Sequence, residues 1–444
     1  MLAPLIPLIA LALSLAWALL LRAGVYPSDW VSTLVFVGCI ALMYWFFVRR
    51  RLLAPPLARW VRLAIWALPC YCAFQLLPLP LALLRFLSPA RAQMAAVVAA
   101  LMPAALHASV PIATNPPMAL FWGFSALCYA ATFFLVRELG WRFVERPWIM
   151  VAPLLAIGFI EALFGAIQLS LGGPDAPVSG TYTNRDHFSG MLEMLFPLAL
   201  MLGWAILQKR RESFEQTMWP AVRICAVWAT AVFFLVAIVY SMSRMGSFVA
   251  ICSLFLTAAL SFGPRLPSQN FRTGLLTVLA VGSLALFIFL PPDQLLARFA
   301  EMSASGKIST DTRLYFWKET LSLIDEFRWF GCGLGGFEST FLKYQGIVNG
   351  YRVEMAHNDY LQYLAELGLV GFSILLTAIV GILIPVVKGI IRVEDENRRL
   401  LLVGCAGSFL AIGLHSFVDF NLYIPANAMI LAWIAGVASI NGLD

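Results

Sequence analysis

Apolar stretches of about twenty residues, separated by short charged or Pro/Gly-rich breaks, recur along most of this 444-residue chain. A helix of that length rises about 30 Å, the depth of a bilayer's hydrocarbon core, so each stretch predicts a membrane-crossing helix. Twelve can be drawn, at about 4–21, 30–48, 61–81, 118–136, 148–170, 188–207, 221–241, 245–262, 273–290, 359–387, 400–416 and 420–440. The strands of a transmembrane β-barrel would instead alternate apolar and polar positions over short segments. The predicted fold class is all-α, a polytopic membrane protein of about twelve transmembrane helices.

Composition removes the soluble alternatives. Hydrophobic residues make up 61% and charged residues 12% of the chain, with a mean hydropathy of +0.84. Soluble domains hold roughly 45–50% apolar and about 25% charged residues. The formal charge of +6 is too small an excess for a nucleic-acid partner and reads better as loop charge that orients helices. Seven cysteines lie in apolar runs, where a free thiol behaves as a small hydrophobe, and only Cys332 lies in a polar stretch. No disulfide framework is expected, and Cys70 with Cys72 lacks the second ligand pair of a zinc site.

The charges also choose sides. With residue 1 in the cytoplasm, the short inside loops hold Arg49, Arg50, Arg51, Arg59 and Arg62, then Arg137, Arg142 and Arg146. Lys209, Arg210, Arg211 and Arg223 follow, then Arg265 and Arg272, then Lys388, Arg392, Arg398 and Arg399, eighteen of the thirty basic residues. Positive loops stay inside, so both termini are expected in the cytoplasm. Met1 to Leu21 has no charged leader and is read as a retained first helix. Organisation then follows as 1–147, four helices with an outer loop at 82–117; 148–290, five helices; 291–357, a large outer loop; and 358–444, three helices.

A loop as long as 291–357 should carry its own structure. Thr310 or Asp311 can cap a helix there, with Leu314, Trp317, Leu321 and Ile324 on one face, an amphipathic helix at the outer membrane boundary. The unusual polar residues fall on the same side. His187 opens the 188–207 span, Arg244 lies in the turn before 245–262, Arg313 is in the large loop, His357 closes it, and His415 and Asp419 flank the last turn. Ionisable groups from remote segments meeting at a helix-bundle mouth are what a site there requires.

Each has a plainer reading beside the functional one. In Ala356-His357-Asn358-Asp359-Tyr360-Leu361-Gln362, the imidazole can activate a hydroxyl acceptor, or His357 and Asn358 simply cap the next helix. Arg244, in Ser241-Met242-Ser243-Arg244-Met245-Gly246, has a guanidinium fork that fits phosphate oxygens, or it snorkels from a helix end. Arg313 binds an anion or pairs with a carboxylate. In Asn184-Arg185-Asp186-His187-Phe188-Ser189, Asn184 or Asp186 can be an N-cap. Glu161, Glu193 and Glu366 lie within helices and need partners, most simply structural ones. Gly331-Cys332-Gly333-Leu334-Gly335-Gly336-Phe337 follows no strand and so is no dinucleotide fingerprint.

Taken together these motifs resemble the O-antigen ligase and Wzy-type polysaccharide polymerase superfamily of bacterial inner-membrane glycosyltransferases. The most specific match is His357-Asn358 followed after nine residues by Gly368. Supporting it are Asn184 to Phe188, Ser243-Arg244-Met245-Gly246, Arg313, the glycine run, and His415-Ser416-Phe417-Val418-Asp419-Phe420 with Ile424-Pro425-Ala426. The resemblance covers about residues 150–440.

It implies a GT-C-like fold and a metal-independent, inverting transfer of glycan from undecaprenyl diphosphate to a sugar hydroxyl at the periplasmic face. His357 is then the catalytic base and Arg244 and Arg313 hold the donor diphosphate. Asn184, His187, Asn358, Asp359, Glu193, Glu366, His415 and Asp419 are supporting candidates. No cofactor or metal is implied, and no Asp-x-Asp pair occurs. The implied partners are an undecaprenyl-diphosphate-linked oligosaccharide donor, a glycan acceptor and membrane lipids, with a chain-length regulator left open and no nucleic acid. Polymerisation of repeat units into exopolysaccharide, capsule or O-antigen is favoured over ligation to lipid A core. A transporter or flippase is the reading from another class, although transporters place substrate nearer the bilayer midplane.

Overall fold

The computed structural model describes residues 4–48, 54–102, 109–173, 176–213, 218–262, 310–346 and 352–442. Each long apolar stretch within them is a helix: α1 (Leu5–Leu20), α2 (Pro27–Met43), α3 (Arg59–Leu76), α4 (Leu81–Leu87), α5 (Pro89–Leu101), α6 (Pro116–Arg142), α7 (Ala152–Gly172), α8 (Arg185–Ser213), α9 (Met218–Tyr240) and α10 (Arg244–Phe262). Then come α11 (Thr310–Glu326), the short α12 (Phe337–Phe341), α13 (Asp359–Arg392), α14 (Glu396–His415) and α15 (Pro425–Asn441). Among the described residues eight helices are long and apolar enough to cross a membrane, and α1 and α15 are shorter apolar helices. The chain is thus a multi-pass membrane protein. The expected span at 273–290 lies outside the described residues.

Helix ends follow local chemistry. Asn115 caps α6 through the Met118 N–H, and Asp395 caps α14 through the N–H groups of Asn397 and Arg398. The span expected over 61–81 stops at Leu76 because Pro78 and Pro80 cannot continue a helix. Leu79–Pro80 (β1) instead pairs antiparallel with Ser109–Val110 (β2). The span expected from 420 starts only at Pro425, after a 3₁₀ turn at Asn421–Tyr423.

Helix α8 is the axis of the bundle, packed by α9, α10 and α14, while α15 packs on α6. A separate core forms at one end, where Ala90 of α5 meets Phe316 and Leu323 of α11, Phe327 just after it, Phe337 and Phe341 of α12, and Ala365 of α13. Among the described residues, α5, α11 and α12 therefore build one cap on the start of α13, which hydropathy alone does not suggest. The cap also rotates α11 relative to expectation. Its buried stripe is Phe316, Thr320, Leu323 and Phe327, leaving Leu314 and Leu321 exposed and Trp317 and Ile324 half-buried. The capping roles of Thr310 and Asp311 fall on side chains outside the described set.

Candidate functional site

Three segments meet where α8 and α13 begin and α14 turns into α15. Asn184 accepts the Asp186 N–H at 2.9 Å and so caps α8. His187 follows in the first turn, its carbonyl accepting from the Asn427 amide at 3.0 Å. Asn427 also donates to Asn421 at 3.1 Å and accepts from the Tyr182 hydroxyl at 2.7 Å, which laces the start of α8 to α15.

On the other side Asn358 caps α13, accepting the Leu361 N–H at 3.1 Å and donating to the Phe417 carbonyl at 2.9 Å. Asp359 accepts from the Ser416 hydroxyl at 2.7 Å and the Leu422 N–H at 3.1 Å. The capping role thus belongs to Asn358 and a fastening role to Asp359, which frees the neighbouring imidazole. His357 itself has φ +49°, a left-handed conformation uncommon for a residue with a side chain. Its flanks hold that strain, because the Ala356 N–H donates to Gln362 at 2.7 Å and the Ala356 carbonyl accepts from Trp317 at 3.0 Å.

Asp419 lies among three imidazoles. Its carboxylate is 3.5 Å from His187 Nε2, 3.5 Å from His357 Nδ1 and 4.0 Å from His415 Nε2. These separations sit at or beyond the outer edge of hydrogen bonding. Burial works against the Asp419 charge, but His187, His357 and His415 hold its carboxyl well below the usual carboxylate range. The Phe420 ring stands edge-on to both His187 and His357. Only His357 reaches outward: its side chain is 28% exposed, against 3% for His187 and 1% for His415.

Beneath this cluster His415 Nδ1 contacts both oxygens of Glu193, at 2.9 and 3.2 Å, and Ser189 donates to Glu193 at 2.7 Å. Gly246 has to be glycine here. A Cβ would stand 1.9 Å from Ser189 Oγ and 2.8 Å from Glu193 Oε1, so the Ser243-to-Gly246 turn is pressed against α8. That turn presents Arg244 at the start of α10, after Met242 with φ +55°. The charges of Arg185 and Arg313 lie close enough to act on Arg244, with Asp186 opposing them, and Asp186 acts on His415 as well. The turn that carries Arg244 thus packs on Ser189 and Glu193, the residues beneath His415. Reading Asn184 to Ser189 as a cap passes over Arg185; its place beside an ionisable pair at a helix start is the signal that could single it out.

Two carboxylates stand apart from the cluster. Glu161 accepts the N–H and hydroxyl of Thr181 at 3.0 and 2.9 Å. Glu366 accepts N–H groups from Gly335 at 2.6 Å and Phe337 at 3.1 Å, the Gln362 amide at 2.9 Å and the Tyr423 hydroxyl at 2.5 Å. It fastens the glycine run to α13. Gly368 completes the joint with φ +62°, and a Cβ there would meet the backbone of Trp329 and Gly331 within 2.5 Å. The glycine eleven positions after His357 marks the place where the cap docks into a break in α13.

Residues 229–376 match the family model described as O-antigen ligase, which supports the superfamily that the motifs resemble. The matched stretch carries Arg244, Arg313, His357 and Gly368. No curated protein matches the chain.

Proposed function

We propose that the protein is an inverting, metal-independent glycosyltransferase that polymerises undecaprenyl-diphosphate-linked oligosaccharide repeat units at the periplasmic face of the inner membrane. In this reading His357 takes the proton of the acceptor hydroxyl while that oxygen attacks the donor's anomeric carbon. The bond from that carbon to the diphosphate breaks, and undecaprenyl diphosphate leaves with the electron pair. A single displacement inverts the anomeric centre. Asp419 orients His357 through Nδ1 and offsets the charge the imidazole gains. Arg185, Arg244 and Arg313 stand where the leaving group's charge develops, so they stabilise the transition state more than the bound donor.

The observation that carries the proposal is a partly exposed imidazole backed by a buried carboxylate, with the Ser243-to-Gly246 turn that carries Arg244 packed against the same end of α8. Purified protein given lipid-diphosphate-linked repeat units should produce longer lipid-linked chains, and His357→Ala should not. A second reading, transfer of finished polymer to lipid A core, is favoured by the description of the matched family. Product that appears only when lipid A core is supplied would establish that reading instead.

A further inference from the structure

The outer segment at 82–117 is a loop by hydropathy, yet its helices expose an apolar face. Phe86 is 82% exposed and Leu101 78%, with Leu83, Val97, Val98 and Met102 also uncovered. Apart from Arg85 and Gln93, every exposed residue from Leu77 to Met102 is apolar. A face of this extent turned to water marks a missing partner. The opposite faces of the same helices are occupied: Leu84 and Ala92 pack with Leu79 and Ile112, and Ala90 packs into the cap core.

We propose that α4 and α5 form an interfacial hairpin whose exposed face is seated in the outer edge of the lipid bilayer. Continuity selects this occupant. The face begins at Leu77, 53% exposed, directly after α3, whose Leu63 and Trp66 are uncovered in the same way, so one apolar surface runs from the helix bundle onto the hairpin. The pairing of β1 with β2 bends the chain back at once, so α4 and α5 stay beside the bundle. An apolar helical face of this kind lies in the membrane interface plane. The seat also sets the height of the cap. Met94 of α5 packs into the core that holds Phe316 and Leu323 of α11, the helix that carries Arg313. Lipid contact at the hairpin thereby fixes Arg313 near headgroup level, whatever reaction the site performs.

The test uses the full chain in nanodiscs of phosphatidylethanolamine and phosphatidylglycerol, with one chain per disc. Phe86→Cys, Leu101→Cys and, as a control on the exposed side of α11, Lys318→Cys are treated with a membrane-impermeant maleimide, and modification is read peptide by peptide. Cys70, exposed on α3, is the internal reference for lipid protection. The hairpin thiols should react at least tenfold more slowly than the thiol at 318 and at a rate close to that of Cys70. Labelling as fast as at position 318 overturns the proposal. Protection seen only in discs that hold two chains also overturns it, and assigns the face to a second copy.

Discussion

Asp419 and Glu366 are both buried carboxylates that serve the same end of the molecule, and their surroundings differ in kind. Glu366 is saturated by donors that do not titrate near neutrality, two backbone N–H groups, an amide and a tyrosine, all within 3.1 Å. Asp419 faces three imidazoles at 3.5 to 4.0 Å. A buried charge must be compensated in either case. Compensation by fixed, short hydrogen bonds makes a fastener, whereas compensation by looser titratable groups makes a site where a proton can change hands.

The sharpest way to break this contrast is at the imidazole. His357→Ala should lower turnover by about a thousandfold or more, as loss of a general base does, while donor binding in a filter or calorimetric assay stays near wild type. Unchanged turnover would leave the Asp419 cluster with no catalytic meaning. Asp419→Asn should follow with a loss of about a hundredfold, because the imidazole keeps its place but loses its orienting charge. Its pH behaviour has a definite sign. The native carboxyl is held below its unfolded value, so its contribution to stability is complete above the unfolded value of about 3.9 and is lost only as pH falls through the depressed native value. The gap in melting temperature between wild type and Asp419→Asn should therefore not close as pH falls from about pH 8 to pH 5. A gap that closes within that window would mean that Asp419 is not held low.

Glu366→Gln should show the converse pattern. The new amide turns an N–H toward groups that themselves donate, at a cost of about 2–4 kcal/mol. Thermal unfolding should move down by several degrees while the folded fraction keeps turnover within a factor of about three, since the partners of Glu366 are the glycine run, Gln362 and Tyr423 rather than an imidazole of the cluster. If turnover falls by orders of magnitude and stability holds, the two carboxylates have been assigned the wrong way round.

What could be read from the sequence divides along the same line. The apolar runs gave helix positions because hydrocarbon depth fixes a length, and ten of the expected spans overlap α1, α2, α6 to α10 and α13 to α15 with ends that differ by up to six residues. Asn358 and Asn184 were legible as caps because capping is local. The pairing of Glu193 with His415 joins positions more than two hundred residues apart, and no spacing rule reaches that far. The cap was equally hidden, because Ala90 and Phe316 meet only in three dimensions. Gly368 could be matched as a motif, but its reason, the docking of Trp329 and Gly331 into a helix break, needed coordinates.

The smallest expected effect tests whether the Asp419 side of the molecule also borders the leaving group. Arg185 lies within electrostatic reach of Arg244, as Arg313 does, and if it contacts the donor diphosphate, Arg185→Ala should raise the donor KM about tenfold, a loss of about 1.4 kcal/mol. Arg185→Lys separates charge from geometry. Lysine restores a point charge but not the two parallel N–H bonds of a guanidinium, so it should recover only part of the loss. Inhibition by inorganic diphosphate should weaken in the same order, wild type, lysine, alanine, and weaken further as salt is raised. A donor KM and diphosphate inhibition unchanged in Arg185→Ala would confine the anion site to Arg244 and Arg313, and would return Arg185 to the role of a charged residue at the first turn of α8.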